Sequence, residues 1–288
     1  MRRMKGKIFF YRPSPAVYSI SITGGFCQLQ CGHCSGRFLS GMRASTTPGS
    51  LVRAFIKAKE EGARCILISG GFTKEGRLPI HGFIDALREG RRKTGLTVEV
   101  HSGVVENREI ESLGRAGVDA LLLDVIGDQE TISDYMGGTW KVKDYERIMR
   151  TAKRWIPVVA PHILVGVSNG EIKGEFNAID MVAKEKVDSL ALLTLMDEEN
   201  APKIDEVKRV MEYARRKVKA NLTLGCMRSR GRGRLALERL AVDLGFDGIA
   251  NPSKRVMDYA RSRGRSVVEV EGCCVFTPGK TPRSTRRP

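Results

Sequence analysis

Short apolar runs alternate with helix-spaced segments along almost the whole chain, and this alternation limits the fold more than any other feature. The runs fall at about 18–23, 64–69, 97–102, 120–125, 158–165, 189–195, 222–226 and 248–250. Amphipathic stretches follow them, at about 48–61, 80–94, 106–116, 142–155, 174–186, 204–219, 232–244 and from Pro252 to Arg263. Several runs, such as Cys65-Ile66-Leu67-Ile68, are continuously apolar, which suits strands buried on both faces. Strand–helix repetition argues a parallel sheet, and eight units argue a (β/α)8 TIM-type barrel, full or nearly full. A six-unit partial barrel with an appended region is the alternative. Residues 1–17 read as a lead-in, 18–265 as the barrel, and 266–288 as a segment over the barrel mouth that ends in a basic, Pro-rich disordered tail.

Just after the first run the chain reads Cys27-Gln28-Leu29-Gln30-Cys31-Gly32-His33-Cys34. Three thiolates at this spacing can hold three irons of a cubane 4Fe–4S cluster and leave the fourth iron open to a small molecule. A zinc knuckle would want a fourth ligand near by, which His33, wedged between ligands, cannot easily supply. An odd count of seven cysteines in a chain of 288 residues argues against a disulfide framework.

The loop resembles the signature of the radical S-adenosylmethionine enzymes. That resemblance implies that the open iron chelates the amino and carboxylate groups of S-adenosylmethionine. One electron then cleaves the cofactor to methionine and a 5′-deoxyadenosyl radical, which abstracts hydrogen from an unreactive carbon. His33 stands where the family usually has an aromatic residue, so a flat ring is kept for adenine.

In barrels of this kind the chemistry sits where the strands finish. Ser69-Gly70-Gly71-Phe72 resembles the family segment whose backbone approaches the methionine amino group, with Phe72 in place of the acid. His101, Ser102 and Asp124 end the third and fourth runs and are candidates for the ribose or the methionine carboxylate. Val165-Gly166-Val167, leading to Glu171 and Glu175, resembles the family's glycine-rich adenine segment, with both valines expected on the ring. Of the other cysteines, Cys65 lies in a buried run and reads as core packing. Cys226, Cys273 and Cys274 are read as ligands of an auxiliary iron–sulfur cluster, with Arg228, Ser229 or Arg230 as possible fourth ligands.

A full barrel with a second cluster resembles biotin synthase and its relatives. Val100-His101-Ser102-Gly103-Val104-Val105 and Asp124-Val125-Ile126-Gly127-Asp128-Gln129-Glu130-Thr131 are similar to segments of those proteins. The chain most resembles a subunit of the archaeal-type two-subunit lipoyl synthases. The resemblance implies sulfur insertion into a protein-bound octanoyl-lysine, with the auxiliary cluster as sulfur donor. It also implies an acidic lipoyl carrier protein as substrate, a second synthase subunit, and a one-electron donor such as ferredoxin.

The formal net charge of +16 favours acidic partners, though a solvated surface accounts for it equally well. Nucleic acid is disfavoured: aromatic content is only 6% and no RNA-binding module is visible. Other readings are a biotin synthase-like mutase, lyase or maturase, an RNA-modifying radical enzyme, or a non-enzymatic iron–sulfur protein that binds nucleic acid or senses redox state. No apolar run approaches a membrane span and the basic N-terminus lacks a signal-peptide core, so a cytoplasmic location is expected.

Overall fold

The computed structural model describes residues 6–196, 200–228, 231 and 233–279. Ser229, Arg230, Arg232 and the basic tail lie outside the described residues. The strands are β1 (Lys7–Arg12), β2 (Val17–Ser21), β3 (Arg43–Ala44), β4 (Cys65–Ser69), β5 (Thr97–His101), β6 (Ala120–Asp124), β7 (Val158–Val165), β8 (Ser189–Thr194), β9 (Asn221–Leu224), β10 (Gly248–Ala250) and β11 (Ser266–Glu271). The helices are α1 (Pro48–Glu60), α2 (Ile84–Thr94), α3 (Asn107–Ala116), α4 (Asp144–Trp155), α5 (Glu175–Glu185), α6 (Ile204–Lys217), α7 (Arg234–Asp243) and α8 (Lys254–Ser262). All eight expected strand–helix units are present.

All strand pairs are parallel, in the order β11-β1-β10-β9-β8-β7-β6-β5-β4-β2-β3. β1 and β2 stand at opposite sides of this order, yet only residues 13–16 separate them in the chain. Four linking residues reach at most about 18 Å, so the sheet must curl until its two sides meet. The Arg64–Glu271 ion pair at 2.8 Å ties the start of β4 to the end of β11 across the same seam.

Two parts of the sequence reading change here. The lead-in contributes a strand: Ile8 and Phe10 are fully buried, and β1 takes the place beside β10 expected for the first barrel strand. The C-terminal segment does cover a mouth of the barrel, but the one at the strands' N-terminal ends. Val275 packs with Ala120 and Val158, the first residues of β6 and β7. Asn221, first in β9, donates from Nδ2 to the Cys274 carbonyl at 3.3 Å, and Tyr11 Oη donates to the Phe276 carbonyl at 3.2 Å. Burial of Val275 and Cys274 offsets the entropy of ordering this segment.

The main core lies between sheet and helices, built from residues such as Leu51, Phe55, Ile66, Ile68, Ile148 and Met211. Smaller clusters fill the barrel interior around Cys274 and Val275. Among the described residues no helix is long and apolar enough to cross a membrane.

Candidate active site at the strand C-terminal ends

The three-cysteine loop leaves β2 and runs to α1. Thr47 caps α1: its Oγ1 accepts from Ser50 N at 3.2 Å while Ser50 Oγ accepts from Thr47 N at 3.0 Å. Such reciprocal caps contribute about 1 kcal/mol and fix where the loop ends. Within the loop, Gln30, Ser35 and Gly36 adopt positive φ, and Cys34 N and Ser35 N both donate to the Cys31 carbonyl. Cys27 and Cys31 are buried and Cys34 is half-buried. Burial, with the charges of Cys34 and Cys27, pushes the Cys31 thiol up to about 12. Burial also raises the Cys34 thiol.

The Gly70-Gly71 turn forms the floor under this loop. Gly71 N donates to Thr23 Oγ1 at 2.6 Å, and Gln28 N donates to the Phe72 carbonyl at 2.9 Å. A Cβ on Gly71 would sit 2.0 Å from Phe26 O and 2.5 Å from Cys27 Cα, so only glycine lets the two backbones meet. Among the described residues, no three His, Cys, Asp or Glu side chains converge on one point as metal ligands. The fit to a cubane cluster rests on the thiol spacing, the shared burial and this glycine cradle.

Beside the loop, Asp124 at the end of β6 gathers histidines. His101 Nε2 lies 3.1 Å from Asp124 Oδ2, and the His101 and His162 rings are 6.0 Å apart. Burial would raise the Asp124 carboxyl, but His101 first, then His162 and His33, hold it at about 2. Burial works against charge on His101 too, and Asp124 outweighs it, raising the imidazole. Burial lowers His162 to about 4, leaving it neutral at pH 7 with a buried, unpartnered Nδ1. Asp124 keeps 44% of its side-chain surface accessible, so the pair can meet a ligand. Ser102 is buried, and its Oγ donates to Gly103 O.

His33 stacks on Tyr135, with centroids 6.2 Å apart and planes 18° from parallel. Burial lowers its pKa, keeping a neutral flat ring. Tyr135 belongs to a π-helical turn, Thr131–Tyr135, of the kind often found at functional sites. The turn falls between the run at 120–125 and the amphipathic stretch at 142–155. His162 sits inside an apolar run, and only the β6–β7 register sets it opposite Asp124.

Val165 is fully buried and, with Val167, belongs to the core between sheet and helices. Gly166 N donates to Glu175 Oε1 at 2.8 Å, so Glu175 is spent on holding this turn.

Among the described residues, the remaining cysteines do not gather as ligands. Cys65 Sγ donates to the fully buried Glu99 Oε1 at 3.1 Å. Cys226 is exposed. Cys226 lies past the C-terminal end of β9, whereas Cys273 and Cys274 enter from the opposite mouth. Cys65 is thus a polar contact of the interior as well as a packing residue. Arg228 is committed elsewhere: it is 3% exposed and donates to Gly225 O, Asn251 O and Glu238, the last at 2.6 Å.

Solved structures share this architecture. Methylornithine synthase (PylB) is 14% identical, with a TM-score of 0.59 over 91% of this chain and 84% of that one. HydG, a maturase of the FeFe-hydrogenase, is 14% identical, with a TM-score of 0.61 over 91% of this chain and 64% of that one. Streptococcus suis SuiB, solved with S-adenosylmethionine bound, is 14% identical, with a TM-score of 0.57 over 94% of this chain and 62% of that one. At such identity the likeness is of fold, and this chain spans less than two thirds of HydG and SuiB. No curated protein sequence matches the chain. A family model, however, matches residues 21–179, which takes in the three-cysteine loop, the Gly70-Gly71 turn and the Asp124 cluster. That match covers more than half of the sequence, and the chain belongs to the radical SAM superfamily.

Proposed function

We propose that this chain inserts sulfur into an unactivated C–H bond, and that the substrate is an octanoyl-lysine on an acidic lipoyl carrier protein. The carrying observation is the three-cysteine loop seated on Gly71, with the Asp124–His101 pair beside it. Cys27, Cys31 and Cys34 would hold the 4Fe–4S cluster, which with bound S-adenosylmethionine supplies a 5′-deoxyadenosyl radical. Asp124 stays anionic and raises the His101 imidazole beside it, so together they can orient a polar group of the cofactor. His162, neutral, can give or take one hydrogen bond without adding charge. His33 and Tyr135 offer flat faces to a base.

The sulfur part of the reading assigns an auxiliary cluster to Cys226, Cys273 and Cys274. Cys273 and Cys274 are held inside the barrel by the C-terminal segment and Cys226 is exposed past the C-terminal end of β9, so the three would have to be drawn together to hold it. The excess of basic side chains suits an acidic carrier and a second subunit of similar character.

Anaerobically reconstituted protein tests both levels. Iron and sulfide would be counted with and without Cys27, Cys31 and Cys34 replaced by Ala, and an octanoyl-lysyl peptide would be followed by mass spectrometry. About eight irons in the parent, about four in the triple variant, and a thiolated octanoyl product are expected. Cofactor cleavage with unmodified octanoyl peptide would remove the sulfur-insertion reading and leave a radical enzyme of another kind.

A further inference from the structure

A cavity of about 560 Å³ opens at the mouth where the strands begin, away from the three-cysteine loop. It is lined by residues that lead into β7, β8 and β9, among them Pro157, Val187 and Ala220, and by Val275 and Phe276 of the C-terminal segment. Its floor is apolar: Val158, Val182, Val187, Val218 and Val275 are all buried. Its rim is basic: Lys186, Lys217 and Lys219 line it and are exposed. Lys217 lies 3.2 Å from Asp180. Lys186 and Lys219 have no ion-pair partner among the described residues. Lys186 also ends α5 with a φ of 49°, in the left-handed region where glycine is the usual residue, so a lysine there carries a conformational cost. Among the described residues that line the cavity, Asp188 is the one acid, and its Oδ2 accepts from Val159 N at 2.9 Å.

Ligand sites are commonly apolar clefts of about 300–1,000 Å³ with a few charged groups at fixed places. The buried valines offer no side-chain hydrogen bond, so the base or sugar of a nucleotide would be left unpaired on this floor. An aliphatic chain loses nothing there, and an anionic end can reach the lysines. The chain beyond Gly279 brings no counter-charge of its own, since it holds Lys280, Arg283, Arg286 and Arg287 and no acid. We infer that this cavity binds an aliphatic carboxylate, with the hydrocarbon chain on the valine floor and the carboxylate at Lys186 and Lys219. Val275 and Phe276 form part of the wall, so the bound chain also braces the segment that carries Cys273 and Cys274. Such a site does not depend on the substrate or the reaction proposed above.

The test is titration calorimetry of the reconstituted protein with octanoate, decanoate and dodecanoate. One decanoate should bind per chain, and affinity should rise about threefold for each added methylene. Acetate, which has the charge without the chain, should bind at least about a hundredfold more weakly than decanoate. Lys186→Glu combined with Lys219→Glu should weaken decanoate about tenfold or more, and Lys186→Gln with Lys219→Gln should weaken it less. Both lysines are exposed, so the variants should melt and load iron like the parent. Unchanged decanoate affinity in the Glu double variant would place the ligand elsewhere, such as the mouth beside Asp124, and overturn the inference. Affinity that ignores chain length would reduce the site to a simple attraction of anions and overturn it too. No saturable binding would leave the lysines as cations at helix ends, with the same result. 5′-Deoxyadenosine formation by the same samples reads the radical chemistry separately: its absence would bring down that reading and leave the cavity's ligand standing.

Discussion

Replacing Gly71 by Ala should disable the site while sparing the fold. The added Cβ would lie 2.0 Å from Phe26 O, 2.5 Å from Cys27 Cα and 2.7 Å from Cys27 Cβ. Two of these neighbours are backbone, so no rotamer change relieves the overlap. Normal van der Waals separation would require the loop to retreat by about 1 Å. Gly71 does not have a positive φ, so the effect is steric rather than conformational. Overpacking of this kind costs about 1–3 kcal/mol, which a barrel of this size survives. Displacement of a reacting centre by about 1 Å, by contrast, can cost about a hundredfold in rate. Gly25 gives the control, because a Cβ there meets nothing within 4 Å and its φ is also not positive. The assay is iron content together with dithionite-driven 5′-deoxyadenosine formation. Gly71→Ala should lose about two orders of magnitude in rate, with incomplete iron loading, and Gly25→Ala should match the parent. Full iron loading and parental cleavage by Gly71→Ala would refute the cradle argument.

Three further outcomes follow from buried charge. Glu238→Gln should cost about 3–5 kcal/mol in urea unfolding, because it strands the buried Arg228. Burial would raise the Glu238 carboxyl, but Arg228 and Ser253 outweigh it and lower it, so the stabilisation is present above the unfolded-state value and is lost on acidification; a variant as stable as the parent would contradict this. Glu99 behaves oppositely. Burial raises it from 4.5 to about 7, so the folded state keeps a proton that the unfolded state releases, and stability falls as pH rises through that window, by up to about 3 kcal/mol. Glu99→Gln in the metal-free protein should therefore gain on the parent between about pH 5 and about pH 8, and an unchanging difference would count against it. Asp124→Asn should lower the His101 pKa, which NMR titration of the imidazole would detect; a titration unmoved by the substitution would show that the pair is not coupled.

The sequence by itself determined the parallel α/β architecture and marked the three-cysteine loop. Both are local: apolar runs such as Cys65–Ser69 followed by capped amphipathic helices report their own structure, and three thiols within eight residues report their own chemistry. Tertiary structure decided what depends on distant pairing. Lys7–Arg12 reads as a basic lead-in until β10 and β11 supply its partners. Continuous apolar strands do not reveal which face each residue takes, so His162 was hidden until the β6–β7 register set it against Asp124. The same ambiguity concealed that Cys65 meets Glu99 inside the barrel. The route of the last segment was equally illegible. Cys273 and Cys274 enter at the strands' N-terminal ends because Val275 finds an apolar site at Ala120 and Val158, more than a hundred residues earlier in the chain.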